Sequence, residues 1–289
     1  MNVEVHVPSD VGALLDAAGH QPSRLELVLV ERLMGGRAAL PMLPAVAQEA
    51  LTLVNNPDAS VAAFARLIEK DPPIAARFLS VANSALYSRG RKVSTMSEAV
   101  MRLGIYGCRD LLMQVVYAST LTGLKKYQDA VQASFRRSVT SGLLCRAVCA
   151  ELDLSFKEAY LCGLLHDIGE SRTYRILSEI AEPQEDDEVP LLVQRYHERA
   201  GAELAQMWKL PDEIQKVCML HHTSGPAAGE GQRIVRIADL AIEAVETLAA
   251  EKPLDKDALA STAGLEPLQI DGRRLCAVVE RAAAMVSML

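Results

Sequence analysis

The stretch from Phe156 to about Asp167, centred on Ala-Tyr-Leu-Cys-Gly-Leu-Leu and closing on His166-Asp167, is apolar nearly all round a helical turn. A helix without a polar face has to be buried on every side. The chain must therefore supply enough other elements to enclose it. At the end of such a helix an unpartnered ionisable pair costs several kcal/mol, on the order of a polar transfer from water. His166 and Asp167 thus call for a partner, and a metal, a mutual hydrogen bond or a buried cation would each serve.

The enclosing elements read as helices. In 289 residues that are 50% hydrophobic, aromatic side chains make up only 4%, while Ala, Leu, Val and Met abound. Such side chains favour helix packing over sheets, and the length suffices for a large core. No strand-like alternation and no internal repeat is found, so the expected fold is all-α. The expected division is a lead-in over 1–24, an N-terminal helical lobe over 25–125, and a second helical lobe with C-terminal helices over 126–289.

Local signals place the helices. An amphipathic stretch runs from Leu25 to Leu33 and breaks at Gly35-Gly36, and Leu40 to Pro44 forms an extended segment feeding the next helix. Asn55 to Asp58 closes that helix, and Asp58 or Ser60 caps the next, in which Val61, Phe64, Ala65 and Ile68 recur at helical spacing. Asp71-Pro72-Pro73 ends it, and a further helix reaches about Asn83. Thr95-x-x-Glu98 and Ser155-x-x-Glu158 read as capping boxes, and Gly104 as a helix stop. Ala181 to Pro190, with its acidic run, and Thr223 to Gln232, with its glycines, read as loops. Tyr87 to Val93 is a basic loop whose Arg89, Arg91 and Lys92 suit either an ordinary solvated surface or the docking of a partner.

Charge and cysteines narrow the function. A net charge of -7 argues against nucleic acid as a partner, and the apolar Tyr106 to Leu112 segment makes a poor base-reading helix. Cys108, Cys145, Cys149, Cys162, Cys218 and Cys276 form no Cys-x-x-Cys pair and read as free thiols of a reducing compartment. Met1 to Asp10 lacks an apolar signal core, and the longest uncharged run, Leu111 to Leu124, is too short to span a bilayer. The expected location is the cytoplasm, away from the membrane.

Four of the six histidines fall between His166 and His222, the other two, His6 and His20, lying in the lead-in without evident partners. His166-Asp167, His197, His221-His222 and Asp239 are spaced so that each group falls on a different helix, which is how helical bundles build metal sites in their cores. Taken singly, His197 reads equally as an ordinary satisfied helical histidine.

Leu40-Pro-Met-Leu-Pro44, Asp71-Pro72, Ala82-Asn83-Ser84, Ala99-Val-Met-Arg-Leu-Gly104, Leu165-His-Asp-Ile-Gly169 and Trp208-Lys-Leu-Pro211 together resemble the HDOD domain, over roughly Arg32 to Leu240. The resemblance implies an all-helical bacterial signalling module, related to the HD and HD-GYP phosphohydrolases and generally non-catalytic. It also implies a departure from the hydrolytic relatives, in which one more histidine precedes the HD pair by about a helix. That position is assigned here to Arg137, which has no lone pair to offer a metal. Glu170 stands where HD-GYP enzymes carry a phosphate-holding Lys. Arg137 is expected to replace the metal by pairing with Asp167 or Asp239. Three readings follow: a regulatory module that binds a signalling protein; a metal-dependent phosphohydrolase acting on a nucleotide or cyclic dinucleotide; and a sensor that binds a nucleotide second messenger or a divalent Fe, Mn or Zn ion without turnover.

Overall fold

A computed structural model of the chain describes residues 21–34, 43–54, 56, 59–88, 90–181, 187–223 and 229–288. The described residues form helices joined by turns and loops, without a strand, in keeping with the composition. His6, His20, the Gly35-Gly36 break, Asp58 and Arg89 lie outside them.

The N-terminal helices are ended by short polar side chains. Helix α1 spans Arg24–Met34, α2 Ala45–Val54, α3 Val61–Glu69, α4 Pro72–Ala82 and α5 Met96–Thr120. Ser60 Oγ accepts the Ala63 N–H at 3.1 Å, so it caps α3. Asp71 both stops α3 and caps α4, accepting the Ile74 N–H at 3.1 Å, with Pro72 pre-set for the first turn. Both halves of the Thr95/Glu98 capping box form at the start of α5. Gly104 interrupts α5 with φ 72 and ψ 162, a backbone geometry that side chains resist, and the helix resumes beyond it.

The remaining helices are α6 Gln128–Glu151, α7 Ala159–Leu165, α8 Ile168–Ser178, α9 Glu188–Met207, α10 Asp212–Leu220, α11 Glu230–Ala249, α12 Lys256–Ala260 and α13 Gly272–Val286. All seven residues of α7 are buried, and α6, α10 and α11 pack around it. One apolar core runs from Leu43 to Ala283 through both sets of helices. Cys108, Cys145, Cys149, Cys162 and Cys218 are buried free thiols within it.

Three expectations need correction. The Ser155/Glu158 capping box does not form: the helix starts at Ala159 and no side chain caps it. Buried Arg109 instead donates to the Lys157 carbonyl at 2.7 Å and draws the Glu158 carboxylate to 3.8 Å, so a long-range partner outcompetes the local cap. Both long loops end early, since α9 begins at Glu188 and α11 at Glu230. Finally, α1 does not belong to the N-terminal lobe. Its Leu25, Leu29, Val30 and Leu33 form a separate core with Ile176, Leu177, Leu192, Val193 and Tyr196 of α8 and α9. Buried Glu26 accepts from Arg195 at 2.6 Å and from the Tyr196 hydroxyl at 2.7 Å.

Candidate metal centre

His166 ends α7 and Asp167 precedes α8, so the pair sits in the break between two buried helices. The Asp167 carboxylate does not cap α8 and is free to turn toward α9 and α10. His197 comes from α9, and His221 and His222 follow α10. These helices approach because glycine lines the contact. A Cβ on Gly169 would stand 1.8 Å from the His197 carbonyl oxygen and 2.5 Å from the Gly201 nitrogen, so no larger residue fits between α8 and α9.

Asp167, His197, His221 and His222 each bring one ligand atom into a group no more than 4.8 Å across. Asp167 Oδ1 lies 3.1 Å from His221 Nε2 and 3.5 Å from His197 Nε2, and the two ring nitrogens are 3.2 Å apart. The far nitrogens fix the tautomers. His197 Nδ1 faces the Gln194 carbonyl at 2.8 Å and His221 Nδ1 the Val217 carbonyl at 3.1 Å. A carbonyl only accepts, so each Nδ1 carries a proton, which leaves Nε2 as the atom each ring turns inward and, in the neutral ring, as a lone pair. Asp167 Oδ1 is buried with no donor among the described residues. Asp167 Oδ1 and the two Nε2 atoms therefore converge on one point, and with both rings neutral they offer three lone pairs to a cation. Three imidazoles and one carboxylate suit zinc, iron or manganese, and carbonyl-anchored rings are the usual support of such ligands. His222 is exposed, and its ring packs 4.1 Å from that of His221, centroid to centroid. Burial, then His221 and His197, push its pKa below the ordinary imidazole value, which keeps its lone pair available.

His166 has a different role. Its Nδ1 donates to the Gly163 carbonyl at 2.8 Å, while Nε2 lies 2.9 Å from Asp167 Oδ2 and 3.5 Å from Asp239 Oδ1. With acceptors on both sides, both nitrogens bear protons. Burial opposes that charge, but Asp167 and then Asp239 outweigh it and raise the His166 pKa well above its ordinary value. Burial likewise opposes the Asp167 charge, and His166 followed by His221 overcomes it, holding the carboxyl well below its usual range. The compensating cation beside the two aspartates is thus an imidazolium.

That finding corrects the role expected of Arg137. Its side chain is exposed on α6, and the ion pairs of Asp167 and Asp239 run to histidines. The inward face of α6 instead carries Ser134, Ser138 and Ser141, all three buried. Their spacing of four and three residues marks one helical face, and Arg137 lies at its edge, about 100° round the helix from Ser138 and exposed. Arg137 therefore does not pair with Asp167 or Asp239, and the serine spacing is the sequence signal for the buried face of α6. Glu170, half-buried one turn into α8, has its carboxyl pKa raised by burial and then by Asp167. Glu198 was not anticipated; it follows His197 and accepts the His222 backbone N–H at 3.3 Å. Arg91 and Lys92 are exposed on the loop between α4 and α5, among the N-terminal helices and apart from this centre.

A family model described as "HDOD domain" matches residues 40–224. Among curated proteins, the chain is 25% identical over 228 residues to an uncharacterized protein of Treponema pallidum (strain Nichols), covering 75% of this chain and 44% of that one. It is 24% identical over 157 residues to ribonuclease Y of Geotalea uraniireducens (strain Rf4), covering 54% of this chain and 24% of the relative. The chain thus spans less than half the length of these curated relatives. Two solved structures share its fold with a TM-score of 0.63 at 22% identity. One is described as a metal-dependent phosphohydrolase of Shewanella amazonensis SB2B, matched over 91% of this chain and 98% of its own, and the other as an HDOD domain protein of Geobacter sulfurreducens, matched over 92% and 98%. A signal transduction protein of Marinobacter aquaeolei VT8 follows with a TM-score of 0.59 at 21% identity, over 96% of this chain and 65% of that one.

Proposed function

Because this chain belongs to the HDOD family, we propose that it is a signalling module that holds one divalent cation on Asp167, His197, His221 and His222 and acts through binding rather than hydrolysis. The observation that carries the reading is the convergence of Asp167 Oδ1 and the Nε2 atoms of His197 and His221 within 3.1 to 3.5 Å of one another. The bound ion would supply a positive charge that ties α8, α9 and α10 together, so the spacing of those helices would report whether the site is filled. A second cation is disfavoured beside His166, where the imidazolium already neutralises the acids. Glu170, close to Asp167, adds a carboxyl that repels a phosphate ester. The buried thiols suit the reducing cytoplasm, and among the described residues no helix is long and apolar enough to cross a membrane. A signalling protein and a nucleotide second messenger remain the partners this reading implies.

The four-ligand count favours one other reading, a metal-dependent phosphohydrolase, the class named for a structural neighbour. Metal analysis of the purified chain loaded with manganese, iron or zinc, together with assays on a chromogenic phosphodiester and a cyclic dinucleotide, separates the two. The expected result is about one equivalent of metal, a metal-dependent gain in thermal stability, and no turnover above blank. Turnover abolished by Asp167→Asn would establish the hydrolase; absence of bound metal would overturn both readings.

A further inference from the structure

The loop between α4 and α5 is held more firmly than a simple chain reversal requires. Asn83, at the end of α4, clamps Val93 on both sides, accepting its N–H at 2.8 Å and donating to its carbonyl at 2.9 Å. Arg102 reaches back from α5 to the Arg91 carbonyl at 2.6 Å and the Ala82 carbonyl at 3.1 Å. Glu98 accepts the N–H groups of Ser94 and Thr95 and stands 3.5 Å from the Arg91 guanidinium. Polar loops in water need no such fixing, and a loop fixed in advance loses less entropy when something binds it.

Beside this loop lies a groove of about 290 Å³ lined by Arg91, Lys92, Val93, Glu98, Met101 and Arg102. Met101 is 63% exposed, an apolar side chain left in water at the mouth of the groove. Its rim is basic in a chain whose net charge is -7. That contrast selects the occupant: a second copy of the chain carries the same net negative charge, whereas a local acidic segment is attracted. Glu98, held by the capping box, orients one edge of Arg91 and leaves other guanidinium donors for incoming carboxylates.

We propose that this groove docks an acidic segment of a protein partner, its carboxylates on Arg91 and Lys92 and one apolar side chain on Met101. The test is fluorescence anisotropy of a short labelled peptide of Asp and Glu with a central Leu, titrated with the full chain at low and high salt. Expected are saturable binding that weakens with salt, and a loss of roughly tenfold in affinity both in Arg91→Ala/Lys92→Ala and in Met101→Ser. All three positions lie outside the metal centre, so these variants should keep wild-type melting behaviour and the metal-dependent thermal gain. The proposal is overturned if the acidic peptide does not bind, if the variants bind it as well as wild type, or if a Lys-substituted peptide binds equally. Capture of the chain by phosphatidylglycerol vesicles, with no binding of the peptide, would likewise sink it in favour of a membrane surface.

Discussion

Asp167 divides its two oxygens between two tasks, Oδ2 facing the His166 imidazolium and Oδ1 facing the Nε2 atoms of His197 and His221. Asp167→Asn replaces a charged acceptor with an amide and removes the anionic ligand. The thermal gain from manganese, iron or zinc should then disappear, which melting curves with and without each metal will show. Arg137→Ala, by contrast, alters only an exposed side chain and should change stability by less than about 0.5 kcal/mol; a loss of several kcal/mol would restore the pairing role expected of it. Gly169→Ala is the severe small change, because the added methyl meets backbone and not a flexible side chain. It should cost about 1–3 kcal/mol, as overpacking does, and by parting α8 from α9 should also weaken metal binding, both measurable in one set of melts.

At the scale of the element, α1 shows how sequence neighbours part company in space. Its apolar stripe was legible, but it lies on α8 and α9 and not on the adjacent α2. Glu26, 2% exposed, anchors it through Arg195 and Tyr196, the residues immediately before the candidate ligand His197. Glu26→Ala should destabilise the chain by about 1–3 kcal/mol, less than a fully buried pair because the Arg195 side chain is 37% exposed and can be rehydrated. Denaturant unfolding measures the loss, and hydrogen exchange should show α1 opening first. Unchanged exchange in α1 would mean that its apolar stripe alone holds it in place.

Across the whole molecule, the two sets of helices share a buried ion network. Arg109 donates twice to Asp110 Oδ1, at 3.0 and 2.7 Å, and Arg146 reaches Asp110 Oδ2 at 2.7 Å, the Tyr87 hydroxyl at 3.0 Å and the face of Tyr160. One carboxylate thus satisfies arginines from α5 and α6 and ties them to the loop that follows α4. Asp110→Ala would leave Arg146 without its carboxylate and Arg109 with only Glu158 at 3.8 Å, and should cost about 3–5 kcal/mol; adding Arg109→Met should recover part of it, since an apolar replacement removes a buried charge that has lost its closest partner. Thermal denaturation of the single and double variants checks this.

The chain's own sequence determined that the fold is helical, where most helices begin and end, and that the apolar helix ending in His166-Asp167 must be enclosed. These follow from periodicity and from caps whose partners lie three or four residues away, as Ser60, Asp71 and Thr95 show. It also singled out Asp167, His197, His221 and His222, because their spacing puts ionisable side chains on different helices of one bundle. Only the tertiary structure decided which partner each one found. His166 rather than Arg137 neutralises the aspartates, serines rather than an arginine face inward from α6, and Arg109 takes Glu158 from its local cap. The physical reason is that a buried charge takes its partner by proximity in space, across helices and at sequence distances that local pattern does not encode.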